Sequence, residues 1–181
     1  MPDPHARPAA FLDRDGVINA DHGYVANWDD FEFMPGAEDA LRELKSLGFC
    51  LVIVTNQSGV GRGYYSETDV DKLHQTLIAH CAAMGVEIAG IYYCPHHPSE
   101  AKGDYLQLCE CRKPAPGMLL TASKELNIDL DVSIMVGDKP SDMEAAQRAG
   151  VGKRFQVTQG SADADVIAVA SLLEAVDYLR G

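Results

Sequence analysis

The chain is 181 residues long, 46% of them hydrophobic, and carries 27 acidic against 15 basic residues for a formal net charge of −12. That is enough chain to bury a full core as one domain over residues 1–181, without disulfide staples. The charge leaves no room for an extended basic face, which excludes nucleic acid and an anionic membrane as partners, so an anionic ligand would have to meet a local cluster of cations.

Met1 to Pro8 shows no long apolar run behind a basic start, and no later stretch approaches bilayer-spanning length, so a soluble cytoplasmic protein is expected. Ala9 to Leu12 is apolar and reads as a short buried strand that ends abruptly at Asp13. Residues two apart on an extended chain point the same way, so Asp13 and Asp15 can converge beyond the strand end, while Gly16 lets the backbone turn. In an open parallel sheet that space is where ligands bind. One carboxylate could attack phosphorus while the other, protonated, passes a proton to the departing oxygen; magnesium, a hard cation, would suit the pair. Taken alone, Asp-x-Asp-Gly is also a common solvated turn.

A polar stretch from Asp21-His22-Gly23-Tyr24 to Met34-Pro35-Gly36 precedes a helix in which Ala37, Ala40, Leu41, Leu44 and Leu47 recur at helical spacing, with Gly48 as its stop. Phe49 to Val54 is nearly all apolar and reads as a central parallel strand. It runs into Thr55-Asn56-Gln57-Ser58, which offers a hydroxyl and amides where this strand opens onto the same space as Asp13; an ordinary capped strand-to-helix turn would look the same. Gly59, Gly61 and Gly63 lack dinucleotide-loop spacing, and a mobile basic loop carrying Arg62 is expected there. Ser66 with Asp69 resembles a capping box, and Val70, Leu73, Leu77, Cys81 and Met84 form the core stripe of a long helix. His74 and His80 on this helix have no metal-spaced partner and are expected to be surface or structural residues.

Ile88 to Tyr93, a third strand, leads into Cys94-Pro95-His96-His97-Pro98, and Cys109-Glu110-Cys111 follows a polar loop. Five cysteines, with three in one segment, suggest metal ligation more than disulfides. Cys94, His96, Cys109 and Cys111 make the three-sulfur, one-nitrogen set that zinc takes in closed tetrahedral sites, so this zinc would be structural. His97 is set aside because adjacent residues on an extended chain point apart. The zinc loop would deliver Arg112 and Lys113 to a fixed place. Beyond it, Pro114 and Pro116 bound a helix whose Met118, Leu119, Ala122 and Leu126 face the core. Val132 to Val136 is a strand ending in Gly137-Asp138-Lys139, which makes Asp138 a third acid at a strand end. Ser141 and Glu144 have capping-box spacing ahead of an alanine-rich helix that reaches Gly150. Phe155 to Val157 and Val166 to Val169 are late strands, and Ser171 to Leu179 is the closing helix. Arg62, Arg112, Lys113 and Lys139 supply the local positive field that the acidic chain otherwise lacks.

Asp-x-Asp-Gly, a strand-end Thr, a Lys before the next helix and Gly-Asp-x-x-x-Asp, in that order over nearly the whole chain, resemble the four motifs of the haloacid dehalogenase superfamily. The resemblance implies an α/β fold, a Rossmann-like parallel sheet flanked by helices. It also implies Asp13 as nucleophile, Asp15 as acid and base, Thr55 and Lys113 as phosphate holders, and magnesium held by Asp13, the backbone carbonyl of Asp15, and Asp138. Members often carry a cap domain after the first or second motif; neither gap here is long enough for one, so the active site should be open and its specificity set by loops.

Asp21 to Tyr24, Thr55 to Ser58, Tyr92 to Pro98 and Cys111 to Pro114 are similar to segments of sugar-bisphosphate phosphatases within the superfamily. That implies a small-molecule sugar bisphosphate contacted by Asp21, His22, Gly23, Tyr24, Thr55, Asn56, Gln57, Ser58, Arg112, Lys113 and Lys139. Histidinol phosphate phosphatases share the nucleophile and a zinc loop, with a shorter spacing between the ligand pairs. The expected activity is magnesium-dependent phosphomonoester hydrolysis through an aspartyl phosphate, in a monomer. A zinc-stabilised binding module that has lost catalysis is the reading from another class; such a module has no need of a proton donor at Asp15.

Overall fold

The computed structural model describes residues 3–181; Met1 and Pro2 of the N-terminal segment lie outside the described residues. Strands β1 (Ala9–Leu12), β2 (Cys50–Asn56), β3 (Ile88–Cys94), β4 (Ile134–Gly137), β5 (Lys153–Val157) and β6 (Ile167–Val169) form one sheet in the order β3-β2-β1-β4-β5-β6. Every neighbouring pair is parallel. Parallel pairing requires crossovers; those from β1 to β5 run through α1 (Ala37–Ser46), α2 (Ser58–Arg62), α3 (Glu67–Ala83), α4 (Gly117–Leu126) and α5 (Pro140–Ala149), the link from β5 to β6 holds no helix, and α6 (Leu172–Arg180) follows β6.

The two faces of the sheet are covered by different helices because successive strand residues point to opposite sides. Ala10 and Leu12 of β1 pack with Leu41 and Leu44 of α1, Leu77 of α3 and Val176 of α6. Ala9 and Phe11 pack with Met118, Leu119 and Ala122 of α4 and Met143 and Ala146 of α5. With both faces covered, β1 has no solvent side, which is why all of it is apolar. Each fully buried Leu or Phe on these faces contributes about 1.5–3 kcal/mol. Among the described residues no folded unit is inserted after β1 or β2, so the ends of the strands stay uncovered by a cap. No helix among them is long and apolar enough to cross a membrane.

Several local expectations need correction. The glycine-rich stretch is a short helix and no loop: Gly59, Val60 and Gly61 are buried, and a Cβ at Gly61 would stand 2.7 Å from the Pro95 carbonyl. Val132 is exposed and precedes the strand, which starts at Ile134. The start of α5 is capped two residues earlier than the Ser141–Glu144 spacing suggests, at Lys139, since Pro140 opens the helix and Asp142 accepts the Lys139 N–H at 3.0 Å. The Ser66–Asp69 capping box is formed as expected.

Candidate active site

The strand order reverses at β1, between β2 and β4, and the crevice beyond the carboxyl ends of these strands is where this architecture places ligands. Asp13 stands at the end of β1, Asp138 at the end of β4, and Asp142 in the first turn of α5; their carboxylate oxygens lie within 4.8 Å of one another. Two glycines let the backbone close around these acids. Gly16 sits at φ +84°, and a Cβ there would meet Asp138 Oδ2 at 2.3 Å; a Cβ on Gly137 would meet Asp142 Cβ at 2.3 Å. Asp138 Oδ1 is buried with no hydrogen-bond partner. An orphaned carboxylate oxygen beside two other carboxylates fits a hard dication with oxygen ligands, as magnesium is.

The electrostatics point the same way. Among protein groups alone, burial pushes the Asp13 carboxyl well above the usual carboxylate range, Lys113 pulls it down, and Asp142 and Asp138 push it up again. Burial would lower Lys113, but Asp13 and Asp142 outweigh it and hold its pKa above that of an ordinary lysine. The Lys113 ammonium is buried and donates to Asp13 Oδ1 at 3.0 Å and to the Val54 carbonyl at 2.8 Å, with Asp142 Oδ1 at 2.6 Å. All of an ammonium's donors thus have partners, so a phosphoryl oxygen would exchange for one of them. Asn56 places this lysine: its amide takes the Lys113 N–H at 3.0 Å and donates to the Lys113 carbonyl at 3.1 Å.

Asp15 is held by three donors. Oδ1 accepts from Arg14 Nη2 at 2.9 Å and from Asn19 Nδ2 at 3.0 Å, and Oδ2 accepts from Gln57 Nε2 at 2.9 Å. Gln57 is itself oriented, because the Tyr65 hydroxyl donates to its Oε1 at 2.7 Å and its Nε2 also reaches Thr55 Oγ1 at 2.9 Å. Burial pushes Tyr65 up to about 12, which keeps that hydroxyl a donor.

A cleft of about 650 Å³ opens above these groups. Of the expected substrate contacts, Asp21, Gly23, Tyr24, Asn56, Gln57, Ser58, Arg112, Lys113 and Lys139 line it together with Asp15. Thr55 and Asp13 lie buried beneath it. His22 is not in this lining; it lines an adjoining hollow that shares Gly23 and Tyr24 with the cleft, and it pairs with Glu32 at 2.9 Å. Arg62 is also outside the lining. Its guanidinium pairs with Glu100 and stands 5.8 Å over the Tyr24 ring, so it is no free part of the positive field. His97, Tyr65 and Ser141 line the cleft although their sequence context gave no signal for it. Asp142 was signalled, since it is the second acid of Gly-Asp-x-x-x-Asp, but it was not among the expected site residues. His74, expected at the surface or in a structural role, is 5% exposed and contacts Arg14.

The cysteine cluster forms beside the cleft. Sulfur separations are 3.6 Å for Cys94–Cys109, 2.9 Å for Cys94–Cys111 and 3.3 Å for Cys109–Cys111, and His96 Nδ1 lies 3.7 Å from Cys94 and 3.4 Å from Cys111. A tetrahedral zinc with sulfur bonds of about 2.3 Å needs sulfur separations of about 3.8 Å, which a small outward shift would give. Burial, then the Cys111 and Cys109 thiols, push the Cys94 thiol up, a penalty that a dication at the centre of the set would remove. His97 stands outside the set, its Nδ1 accepting the Ser99 and Glu100 N–H groups. The loop between the ligand pairs folds back on α2 through Gly61 N–H to the Pro95 carbonyl and Lys102 N–H to the Gly61 carbonyl, so the four ligands fix where Arg112 and Lys113 emerge.

A model of the haloacid dehalogenase-like hydrolase family matches residues 5–150. The chain is 52% identical over 153 residues to a D-glycero-beta-D-manno-heptose-1,7-bisphosphate 7-phosphatase of Yersinia pestis, covering 84% of this chain and 81% of that protein. It is 53% identical over 153 residues to the enzyme of the same name from Escherichia coli strain K12, covering 84% and 80%. The D,D-heptose 1,7-bisphosphate phosphatase of B. bronchiseptica, solved with magnesium and phosphate, superposes with a TM-score of 0.83 at 30% identity, covering 96% of this chain and 98% of that one. With the strand-end aspartates, the buried lysine and the Gly-Asp-x-x-x-Asp acids gathered at one crevice, the chain belongs to the haloacid dehalogenase-like hydrolase family.

Proposed function

We propose that this protein is a magnesium-dependent D-glycero-beta-D-manno-heptose-1,7-bisphosphate 7-phosphatase that removes the C7 phosphate and releases heptose 1-phosphate. The substrate assignment is supported by relatives about half identical over most of both chains that carry this name. The observation that carries the chemistry is the buried Asp13 carboxylate, 3.0 Å from Lys113 and beside the unpartnered Asp138 Oδ1, at the foot of a cleft with cations on its wall.

Asp13, Asp138 and the backbone carbonyl of Asp15 would hold magnesium, which when bound neutralises phosphate charge and separates the carboxylates. Asp13 attacks the C7 phosphorus in line; its Oδ1 is held by the Arg14 N–H at 2.9 Å and by Lys113, which leaves Oδ2 as the attacking atom. As the phosphorus–oxygen bond to the sugar breaks, Asp15 gives its proton to the departing oxygen. It then takes a proton from the water that hydrolyses the aspartyl phosphate. Lys113 and the Thr55 hydroxyl face the transferring phosphoryl, and Arg112 grips the phosphate that stays.

We read the whole of residues 1–181 as a single such domain, acting as a cytoplasmic monomer and supplying nucleotide-activated heptose biosynthesis for lipopolysaccharide core or a surface glycan. The test is phosphate release from heptose 1,7-bisphosphate, heptose 7-phosphate and histidinol phosphate, with magnesium and after chelation, for the protein and for Asp13→Asn. The bisphosphate should be the best substrate and lose only its C7 phosphate, chelation should stop turnover, and Asp13→Asn should be inactive. Preference for histidinol phosphate would overturn the substrate; turnover by Asp13→Asn would overturn the covalent route.

A further inference from the structure

Arg14 lies between the two motif aspartates and is completely buried. Taking a guanidinium out of water costs several kcal/mol, offset only where its donors are met; among the described residues Nε has no partner, so the partners of Nη1 and Nη2 define what it is there for. Nη2 donates to Asp15 Oδ1 at 2.9 Å and to the Val25 carbonyl at 2.7 Å, and Nη1 lies 3.0 Å from Nε2 of His74. His74 comes from the middle of α3, 60 residues along the chain, and its ring stands edge-on to Tyr93, with centroids 5.8 Å apart. Arg14 can only donate, so His74 Nε2 must present a lone pair. Burial, then the charge of Arg14, push His74 down to about 3, which keeps that lone pair free at any working pH.

We propose that Arg14 and His74 are positioning residues for the proton transfer: His74 steers the Arg14 fork, and the fork fixes the Asp15 carboxylate so that Oδ2 is the oxygen that gives and takes the proton. Two donors, Arg14 Nη2 and Asn19 Nδ2, occupy Oδ1. Oδ2 has one, from Gln57, and Asp15 lines the cleft. An acid with one oxygen saturated and the other open transfers its proton from the open one, in the direction the fork sets. A planar fork with several donors does this where a lysine could not, because it must reach His74, Val25 and Asp15 together.

The inference rests on Asp15 acting as the proton donor, and the experiment tests the two separately. Turnover is compared on heptose 1,7-bisphosphate, whose sugar oxygen leaves poorly without a proton, and on p-nitrophenyl phosphate, whose nitrophenolate leaves readily. Asp15→Asn should lose roughly 10²- to 10⁴-fold in kcat on the sugar and far less on the aryl ester. His74→Phe keeps a ring against Tyr93 but offers no lone pair; it should lose about 10- to 10²-fold in kcat on the sugar with KM little changed, and almost nothing on the aryl ester. His74→Gln, whose Oε1 can accept from Arg14, should restore most of the loss. If His74→Phe does not fold, Arg14→Lys should show the same leaving-group selectivity. Equal losses on both substrates, or none, in the His74 and Arg14 variants would overturn the inference while a selective Asp15→Asn keeps the acid–base reading; equal losses in Asp15→Asn would overturn that reading and the inference with it.

Discussion

Asp142 Oδ1 stands 2.6 Å from the Lys113 ammonium, nearer than the 3.0 Å between that ammonium and Asp13 Oδ1, so the lysine is seated as much by α5 as by the strand-end acid. The same carboxylate accepts the backbone N–H of Lys139 through its other oxygen, and so ties Lys113 and the main chain of Lys139, two of the three cationic residues lining the cleft, to one buried group. Asp142→Asn keeps the size and removes the charge. We expect kcat to fall about 10- to 10²-fold as Lys113 shifts, and stability to fall because a buried ion pair that loses one partner is weakened by up to about 3–5 kcal/mol. Urea unfolding and phosphate release on one preparation check this; normal values of both would show that Lys113 is seated without Asp142.

Arg112 and Lys113 are neighbours in the chain but not in environment. Lys113 is buried among carboxylates, whereas Arg112 is half-buried on the cleft wall and the one hydrogen bond of its guanidinium among the described residues is a long one, Nη1 to the His96 carbonyl at 3.4 Å. Its fork is therefore open to a spectator phosphate. Arg112→Ala should lower kcat/KM for the bisphosphate far more than for a small monophosphate, while Lys113→Ala should lower both alike. An unchanged ratio in Arg112→Ala would move the spectator phosphate to another group, with Lys139 next on the same wall.

The cysteine cluster predicts a metal stoichiometry. Purified protein never exposed to chelator should carry close to one zinc per chain, held by Cys94, His96, Cys109 and Cys111. Cys109→Ser should lower zinc content, thermal stability and activity together, because the loop that presents Arg112 loses its fixed end. Elemental analysis showing no zinc, or Cys109→Ser with full activity, would count against it.

His74 gives stability a pH dependence of definite sign. Its pKa is pushed down to about 3 by burial and then by Arg14, from about 6.5 in an unfolded chain. A depressed pKa means the unfolded state binds the proton first, so the contribution is fully present above about pH 6.5 and is lost as pH falls towards 3, by at most about 1.4 kcal/mol per pH unit. Urea midpoints measured from pH 7 to pH 4 should therefore fall more steeply for the native protein than for His74→Gln, which does not titrate. Parallel curves would show that His74 is neutral for no energetic reason.

Much of this molecule is readable from local pattern. The apolar run Ala9 to Leu12 becomes β1 with the same bounds, and Ser66 and Asp69 cap α3 as their spacing requires, because both depend only on residues close in sequence. Asp13 and Asp138 directly follow strand ends for the same reason, and Cys94, His96, Cys109 and Cys111 meet because two pairs of tight spacing need only one loop to close on itself. Where a residue looks outward or inward across the fold, pattern fails. Asp142 was visible as a motif acid, yet only the packing of α5 against β4 turns it towards Lys113. Arg62 reads as a free cation until Glu100, brought back by the folded loop, neutralises it. His74 has no local signal at all. Its role exists because α3 passes beside the turn after β1 and lays a ring nitrogen 3.0 Å from a buried guanidinium, and a contact across 60 residues leaves no trace in the spacing of either segment. Chain order settles which chemical groups are present and at which strand ends they stand; the three-dimensional packing settles which of them neutralise, aim or bury one another, because those energies depend on distances between groups that the chain keeps far apart.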